Sequence, residues 1–532
     1  DGHYQVPLPF KGVNTKLPNN RGRAIKRIEH IKKRLLKNPK FFIDYKAFME
    51  KMFKNGYAEK SNNKDIDGSS WYIPHHGVYH PHKPDKFRVV FDCGAEYHGT
   101  SLNKNLMSGP DMTNQLVGVL MRFREENVAF TSDIEAMFYQ VKIPEKQRSF
   151  VKFLWWEEGN LAGNIVDYQM CVHVFGATSS PLCSNYTLRK TALDNQHVYG
   201  IKATNTLLNN FYVDDLLKSV ASSNEAINMI KNTKGMCSEG GFNLTKFATN
   251  DPKVLQFLEG MNIKAVNEVV KKMEPFDEKT LGILWKIRDD KFGFDLTLKD
   301  KPMTRRGLLS TVSSIYDPLG LISPIILKGK LILQQLCKEK ISWDDEVSEN
   351  MKYQFFKWRS QLERIHEIEI PRCYKPKTFG KVKECSLHHF SDASQEGYGQ
   401  ASYLRIVNES GVVHCSLVMG KSRVAPTKFI SIPRLELMAA VLSIKMSQLI
   451  KREMEMSSYP RITEIFWTDS QVVLGYIKNE AKRFKVFVAN HVQFIRDNSE
   501  TNNWRYVSSK ENPADLASRG FILQREQLVG RN

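Results

Sequence analysis

The run Asn210 to Leu217, NFYVDDLL, sets two adjacent acids, Asp214 and Asp215, between two short β-forming segments. That pattern suits a tight hairpin with the acids at its bend. A third carboxylate, Asp133, follows the apolar strand entry of FTSDIEAMFYQVKI, Phe130 to Ile143. Such acids repel one another, so a cation is the usual reason to gather them. Mg²⁺ takes a few carboxylates together with waters and phosphates. Taken alone the hairpin is weak ground, because paired Asp residues are common in turns.

The charge balance points toward polyanions. The chain has 532 residues with 77 Lys plus Arg against 58 Asp plus Glu, a net charge of +19. A surplus of this size favours nucleic acid or an anionic surface, with a plain solvated surface as the alternative. Twelve basic residues and three acidic ones lie between Arg21 and Lys54, where Ile25, Ile28, Ile31 and Leu35 recur at helical spacing. This helix either faces phosphates or is a solvated basic face. The length implies about three to five units, and 41% hydrophobic with 11% aromatic residues excludes a disordered or collagenous chain. Eight cysteines without a C-x-x-C pair support neither a disulfide framework nor a zinc ribbon, and fit a reducing compartment. The most apolar stretch, Leu319 to Leu333, is interrupted by Pro324, Lys328 and Lys330, so no spanning helix is expected. A start at Asp1 suggests a piece of something longer.

A second set of acids lies in the C-terminal part. LHHFSDAS reads as a strand ending at Asp392, and Ser431 to Ile450 as an amphipathic helix with Leu435, Ala439, Leu442, Met446 and Leu449 on its apolar face and Glu436 beside it. EIFWTDS reads as a strand ending at Asp469, with Ser470 as the N-cap of the next helix. ENPADLASRG places Asp515 just inside a helix that Pro513 starts. Strand Asp, helix Glu, strand-end Asp and late Asp is the order a ribonuclease H needs to hold two metal ions across a phosphate.

Six motifs in order carry a resemblance: DIEAMFYQV at Asp133 to Val141, VFGATSSP at Val174 to Pro181, FYVDDLL at Phe211 to Leu217, GFNLTK at Gly241 to Lys246, LGILW at Leu281 to Trp285, and STVSSIYDPLGLISP at Ser310 to Pro324. RLELMAA, TDSQVVLGYI and NPADLASRG continue it. The chain resembles the reverse transcriptase and ribonuclease H portion of the Pol polyprotein of BEL/Pao long-terminal-repeat retrotransposons. The resemblance implies an α+β right-hand polymerase of fingers, palm and thumb/connection, followed by an α/β ribonuclease H-like domain. The expected divisions are 1–113 for basic helices and fingers, 114–300 for palm, 301–383 for thumb, connection and a linker at Pro371 to Glu384, and 384–532 for the nuclease.

The implied activity is RNA-directed DNA synthesis with cleavage of the RNA strand of hybrids. Asp133, Asp214 and Asp215 would hold two Mg²⁺ in the polymerase. Asp392, Glu436, Asp469 and Asp515 would hold two in the nuclease, with Mn²⁺ as a substitute ion. Arg88 and Lys86 match nucleotide contacts in the fingers, and Gly176 a close backbone approach. Phe138 matches a gate against a ribose 2′-hydroxyl, its plain alternative being a core Phe. Lys246 matches a proton donor to pyrophosphate, its plain alternative being a surface lysine. Leu281, Gly282 and Trp285 match a hairpin that grips the primer. Retroviral enzymes place Gln where this chain has Phe175. Implied partners are an RNA template, a DNA primer, their hybrid, deoxynucleotides, and protease and integrase portions of the same polyprotein, in a cytoplasmic virus-like particle or the nucleus, with no membrane. Other readings are an inactive or co-opted nucleic-acid-binding protein and an RNA-dependent RNA polymerase, the latter disfavoured by Phe138 and the nuclease.

His75, His76, His80, His82 and Cys93 cluster in HHGVYHPH and nearby, but Gly and Pro there read as a fingers loop and zinc is not favoured. No loop His precedes Asp515, and His491 falls on a helix, so no catalytic His is assigned.

Overall fold

Proline lacks the N–H a continuing helix needs. Pro39 accordingly divides the basic segment into helix α1, Arg21–Lys37, and helix α2, Pro39–Lys54. Asn38 ends α1 and caps α2, its side chain accepting from the Phe41 N–H at 3.0 Å. α1 buries Ala24, Ile28 and Leu35, with Ile25 and Ile31 at the margin. The computed structural model describes residues 2–13, 15–61, 70–80, 83–261, 277–280, 282–296, 298–454, 459–481 and 483–521. These form two compact units: Asp1–Asn114, Ser132–Leu216 and Ile227–Phe247, and then Gln115–Thr131, Leu217–Ala226 and Ala248–Asn532.

In the first unit an aromatic core of Phe41, Tyr45, Trp71, Trp155 and Trp156 joins α1 and α2 to two β elements. One is a three-stranded sheet ordered Ala58–Lys60, Ile165–Met170, Lys152–Trp156. The other is a hairpin of His75–His80 with Lys83–Phe91, antiparallel and in register from His75↔Phe91. The histidine-rich segment is therefore strand through His80 and not the loop its Gly suggested; His82 lies outside the described residues. His75 is buried, bonded through Nδ1 to the Tyr45 hydroxyl at 2.5 Å and through Nε2 to the Leu154 carbonyl at 2.8 Å. Burial lowers its pKa to about 4, so it is a satisfied neutral core histidine.

The second unit is built on a five-stranded sheet ordered Val413–Val424, Gly397–Asn408, Val382–Ala393, Thr463–Thr468, Trp504–Tyr506. The first three strands are antiparallel neighbours, and the last two run parallel to Val382–Ala393 and to each other. Helix Ile432–Glu453 buries more than the single face expected: Leu435, Ala439 and Leu442 pack with Ala393 and Tyr398, while Leu437, Ala440 and Ile444 pack with Phe466, Val473 and Val492. Helices Arg305–Ser313, Ser323–Lys338 and Glu349–Leu362 share a further core. The loop before the second of these meets the sheet backbone to backbone. Gly320 has φ +69°, and a Cβ on it would stand 1.9 Å from the Gly420 carbonyl oxygen. Glycine is required there on both counts.

The segment from Pro371, read as a linker from its Pro, Gly and Lys content, is anchored in the core. Ile370–Pro371 forms the fourth strand of a sheet with Asp277–Thr280, Ile283–Lys286 and Lys291–Gly293. Arg372 is fully buried and forks onto Asp290, at 2.6 Å through Nε and 2.8 Å through Nη2. It also donates to the carbonyls of Phe123, Glu126 and Asn127. Tyr374 is fully buried with the Arg124 guanidinium 4.4 Å over its ring. Composition suggested solvent exposure, but a buried charge is tolerated when every donor is paired.

Candidate active sites

The hairpin register Phe211↔Leu216 and Tyr212↔Asp215 leaves Val213 and Asp214 as a two-residue loop. Such loops match strand twist only with a left-handed first residue. Val213 has φ +56°, an unfavourable place for a β-branched side chain that costs about 1–3 kcal/mol. Asp214 is thereby set at the bend, and Asp215 begins the returning strand. In the four-stranded sheet ordered Phe211–Tyr212, Asp215–Val220, Val128–Ile134, Leu244–Thr249, the Asp133 strand is the third. The Ile134 N–H donates to the Asp214 carbonyl at 2.9 Å, fixing the hairpin beside Asp133.

Cations of the chain itself complete this cluster. Lys246, at φ +53°, holds its Nζ 2.9 Å from Asp133 Oδ1. Burial raises the Asp214 pKa and the charge of Asp133 raises it further, while its own backbone N–H, Lys246 and Arg88 oppose the shift. The structure thus brings Asp133, Asp214, Arg88 and Lys246 together. Lys86, exposed on the strand of Arg88, lies two residues away and so on the same face.

Phe138 sits in a single 3₁₀ turn, Met137–Gln140, with its ring centroid 4.4 Å from that of Phe175, which is 41% exposed. The residue that differs from the retroviral pattern is therefore the packing partner of the expected sugar gate. Gly176, at φ +110°, lies against the chain: a Cβ there would be 2.4 Å from the Phe91 carbonyl oxygen. Asn103, which the sequence did not single out, clamps this loop. Its Nδ2 donates to the Gly176 carbonyl and its Oδ1 accepts from the Thr178 N–H, both at 2.9 Å. No local pattern around a lone Asn in SLNKN announces that role.

The expected primer hairpin forms from Asp277–Thr280 and Ile283–Lys286. Leu281 lies outside the described residues. Gly282 takes φ +85°, with Tyr316 occupying the space of a Cβ at 2.6 Å. Trp285 is fully buried, donating to Asp290 at 3.0 Å and packing edge-on to Phe123. Its side chain anchors the hairpin to the core, where its large apolar surface finds a dry site.

The other acids converge at one end of the five-stranded sheet. Ser391 pairs with Thr468 across parallel strands, so Asp392 and Asp469 follow side by side. Ligand sites form at such carboxyl ends of adjacent parallel strands. Ser470 caps helix Gln471–Lys478 by accepting from the Val473 N–H at 3.2 Å, and donates to Glu436 on the long helix. Asp515 opens the short helix Asp515–Arg519 and is paired with Arg519 at 2.6 Å. Pro513 lies outside this helix, whose N-cap is Ala514. Ser518, also not singled out by sequence, donates to Asp392 Oδ2.

Asp392 is 5% exposed. Burial raises its pKa to about 7, with the Ser518 hydroxyl and the Arg519 charge opposing and the charges of Asp469 and Asp515 adding. Glu436 is raised by burial, with Ser470 opposing and Asp469 adding. Asp469 Oδ1 is buried without a hydrogen-bond partner. Oxygen donors crowded together, raised in pKa and with one orphaned, fit a hard divalent cation. Among the described residues no group of three His, Cys, Asp or Glu side chains is placed to hold a metal ion, so the protein supplies no cage of ligands. Mg²⁺ keeps several waters and so needs no such cage. His491 bonds to the Phe487 carbonyl on helix Val486–Asn498 and takes no part.

Residues 304–470 match the family described as the Pao retrotransposon-like RNaseH-like domain. The Pao-type match includes Asp392, Glu436 and Asp469, and it begins among the helices before the sheet, whose Gln334 donates to Ala425 beside the strands and whose Lys328 pairs with Glu396 at 3.1 Å. Among solved structures, the chain is similar to the foamy viral protease-reverse transcriptase dRH in complex with ds DNA. The TM-score is 0.58 at 14% identity over 96% of this chain and 75% of that one. The foamy viral protease-reverse transcriptase in complex with RNA/DNA hybrid gives 0.53 at 13% identity, over 99% of this chain and 59% of the neighbour. The likeness shows the fold, a reverse transcriptase fold with a ribonuclease H-like domain in its C-terminal part. No curated protein matches the chain. Among the described residues no helix is long and apolar enough to cross a membrane.

Proposed function

We propose that the chain is an RNA-directed DNA polymerase of a BEL/Pao retrotransposon with an attached ribonuclease H. The observation that carries this reading is the convergence of Asp133, Asp214, Arg88 and Lys246 around a strained two-residue hairpin, in a chain that builds a separate acidic cluster on a ribonuclease H-like sheet. Mg²⁺ held by Asp133, Asp214 and Asp215, and by Asp392, Glu436, Asp469 and Asp515, would supply charge neutralisation and a more acidic bound hydroxyl or water.

The chain's own residues have defined tasks in this reading. Arg88 presents a forked guanidinium to the triphosphate of a deoxynucleotide, assisted by Lys86. Phe138, backed by Phe175, closes the space of a ribose 2′-hydroxyl. Gly176, held by Asn103, lets template or nucleotide approach the backbone. Lys246 carries a proton that its ammonium group can give to departing pyrophosphate, and it leaves Asp133 to do so. In the nuclease, Ser470 and Ser518 hold Glu436 and Asp392 in place by donating to their carboxylates. The template, primer and hybrid are gripped by phosphates and shape with little regard to sequence.

Primer extension on poly(rA) with dTTP and Mg²⁺ tests the polymerase, with Asp214→Asn as control and hybrid binding measured alongside. Wild type should extend and the variant should bind without extending. Equal failure of both proteins while both bind hybrid would leave a co-opted nucleic-acid-binding protein as the better description.

A further inference from the structure

Helix α1 carries a line of basic residues that neither acidic cluster uses. Arg23, Lys26, His30, Lys33 and Lys37 follow one another at spacings of three and four residues, so they share one face. The buried line Ala24, Ile28 and Leu35 occupies roughly the opposite face. From Arg23 to Lys37 the stripe extends about 21 Å at the helical rise.

Two features separate it from an ordinary solvated face. Exposed helices normally interleave acids with bases, as α2 does. There Lys40 reaches Asp85, Lys46 reaches Glu50 and Lys51 reaches Glu135, all within 4.0 Å. On α1, Arg21 and Arg27 have acidic partners, Asp167 and Asp92, but Arg23, Lys26, Lys33 and Lys37 have none among the described residues. The stripe also works against its own helix. Arg23 with Arg27 and Lys33 with Lys37 are like charges at i, i+4, set against the single acid of the helix, Glu29, at i, i+4 from Lys33. The first turn contains no acid, and Arg21 and Arg23 stand at the positive end of the macrodipole. An external polyanion would relieve both penalties.

We propose that this face of α1 binds the phosphodiester backbone of nucleic acid, with Arg23, Lys26, Lys33 and Lys37 each contacting phosphate. On the same helix Arg27 stands 3.7 Å from Asp92. Asp92 follows Phe91, whose carbonyl underlies Gly176. The inference rests on the polymerase reading only for which strand is held, the template.

The test compares the full chain with the Arg23→Gln, Lys26→Gln, Lys33→Gln, Lys37→Gln variant in fluorescence anisotropy across a salt series. The probes are single-stranded RNA, a blunt RNA–DNA hybrid and phosphatidylserine vesicles. Four lost phosphate contacts should flatten the log–log salt dependence of nucleic-acid binding by about 3, with the melting temperature unchanged or higher. A change confined to single-stranded RNA assigns the face to an unpaired strand, and one confined to hybrid assigns it to duplex. An unchanged slope in a folded variant overturns the proposal, as does loss of vesicle binding with RNA binding intact. If the quadruple variant fails to fold, Lys26→Gln with Lys33→Gln should show about half the slope change. Should the wild type fail to extend primers while the slope still flattens, the polymerase reading falls and the backbone contact stands.

Discussion

At the hairpin of the first unit the acids stand beside cations of the same chain; at the sheet end of the second they stand chiefly beside one another. Asp133 has Lys246 at 2.9 Å, and both Lys246 and Arg88 offset the burial of Asp214. Asp392, Glu436 and Asp469 have two serine hydroxyls for neighbours, and the one cation beside them, Arg519, is paired with Asp515 and offsets only part of the burial of Asp392. The first cluster is preset for a ligand that brings its own negative charge to Arg88 and Lys246. The second stores unfavourable charge that a divalent cation would relieve.

The widest separation should come from single substitutions in each cluster. Asp214→Asn should reduce primer extension by about a hundredfold or more while hybrid cleavage persists, and Asp469→Asn the reverse. Loss of both activities from either change would argue against two independent sites.

Stability should divide along the same line. Arg372→Ala strands Asp290 in the second unit and should cost about 3–5 kcal/mol in urea unfolding; a loss below about 1 kcal/mol would mean that the pair is solvated. Gly320→Ala, whose Cβ would overlap the Gly420 carbonyl, should cost about 1–3 kcal/mol. Acid should weaken the two units in different windows. His75, neutral and with a folded pKa of about 4 against an ordinary 6.5, makes the first unit lose stability as pH falls from 6.5 toward 4. Glu464 in the second unit is half-buried, yet hydrogen bonds from Lys451 and Ser447 and the His389 ring 3.7 Å away lower its pKa from 4.5 to about 2. Its contribution is complete above 4.5 and is lost as pH falls toward 2. Hydrogen exchange resolved by peptide should show the first unit opening at milder acidity, and Glu464→Gln should flatten the second window. The smallest effect expected is Val213→Gly, which relieves a left-handed valine and should stabilise by up to about 1 kcal/mol.

Much of both clusters was legible because short segments carried it. The strand before Asp133, the YVDD bend, the N-cap at Ser470 and the long helix bearing Glu436 are each set by residues within a turn or strand of the acid. The segment after Pro371 was misread for the complementary reason. Its Pro, Gly and Lys content is a local property, whereas the burial of Arg372 depends on Asp290, 82 residues away. Trp285 matched a functional motif but follows its apolar area into the core. Asn103 and Ser518 carry no local signature, and their roles arise only where another segment brings them a partner.

The sequence by itself determined which residues could turn, cap, break or charge an element: the helix break at Pro39, the hairpin at Val213 and Asp214, the order of the acids, and the one-sided charge of α1. Tertiary structure decided which of these groups meet. Lys246 reaches Asp133, and Ser518 reaches Asp392 across 126 residues, because sheet order and helix packing set those distances. Backbone preference acts within a few residues, while the pairing of buried charge depends on which distant segments exclude water together.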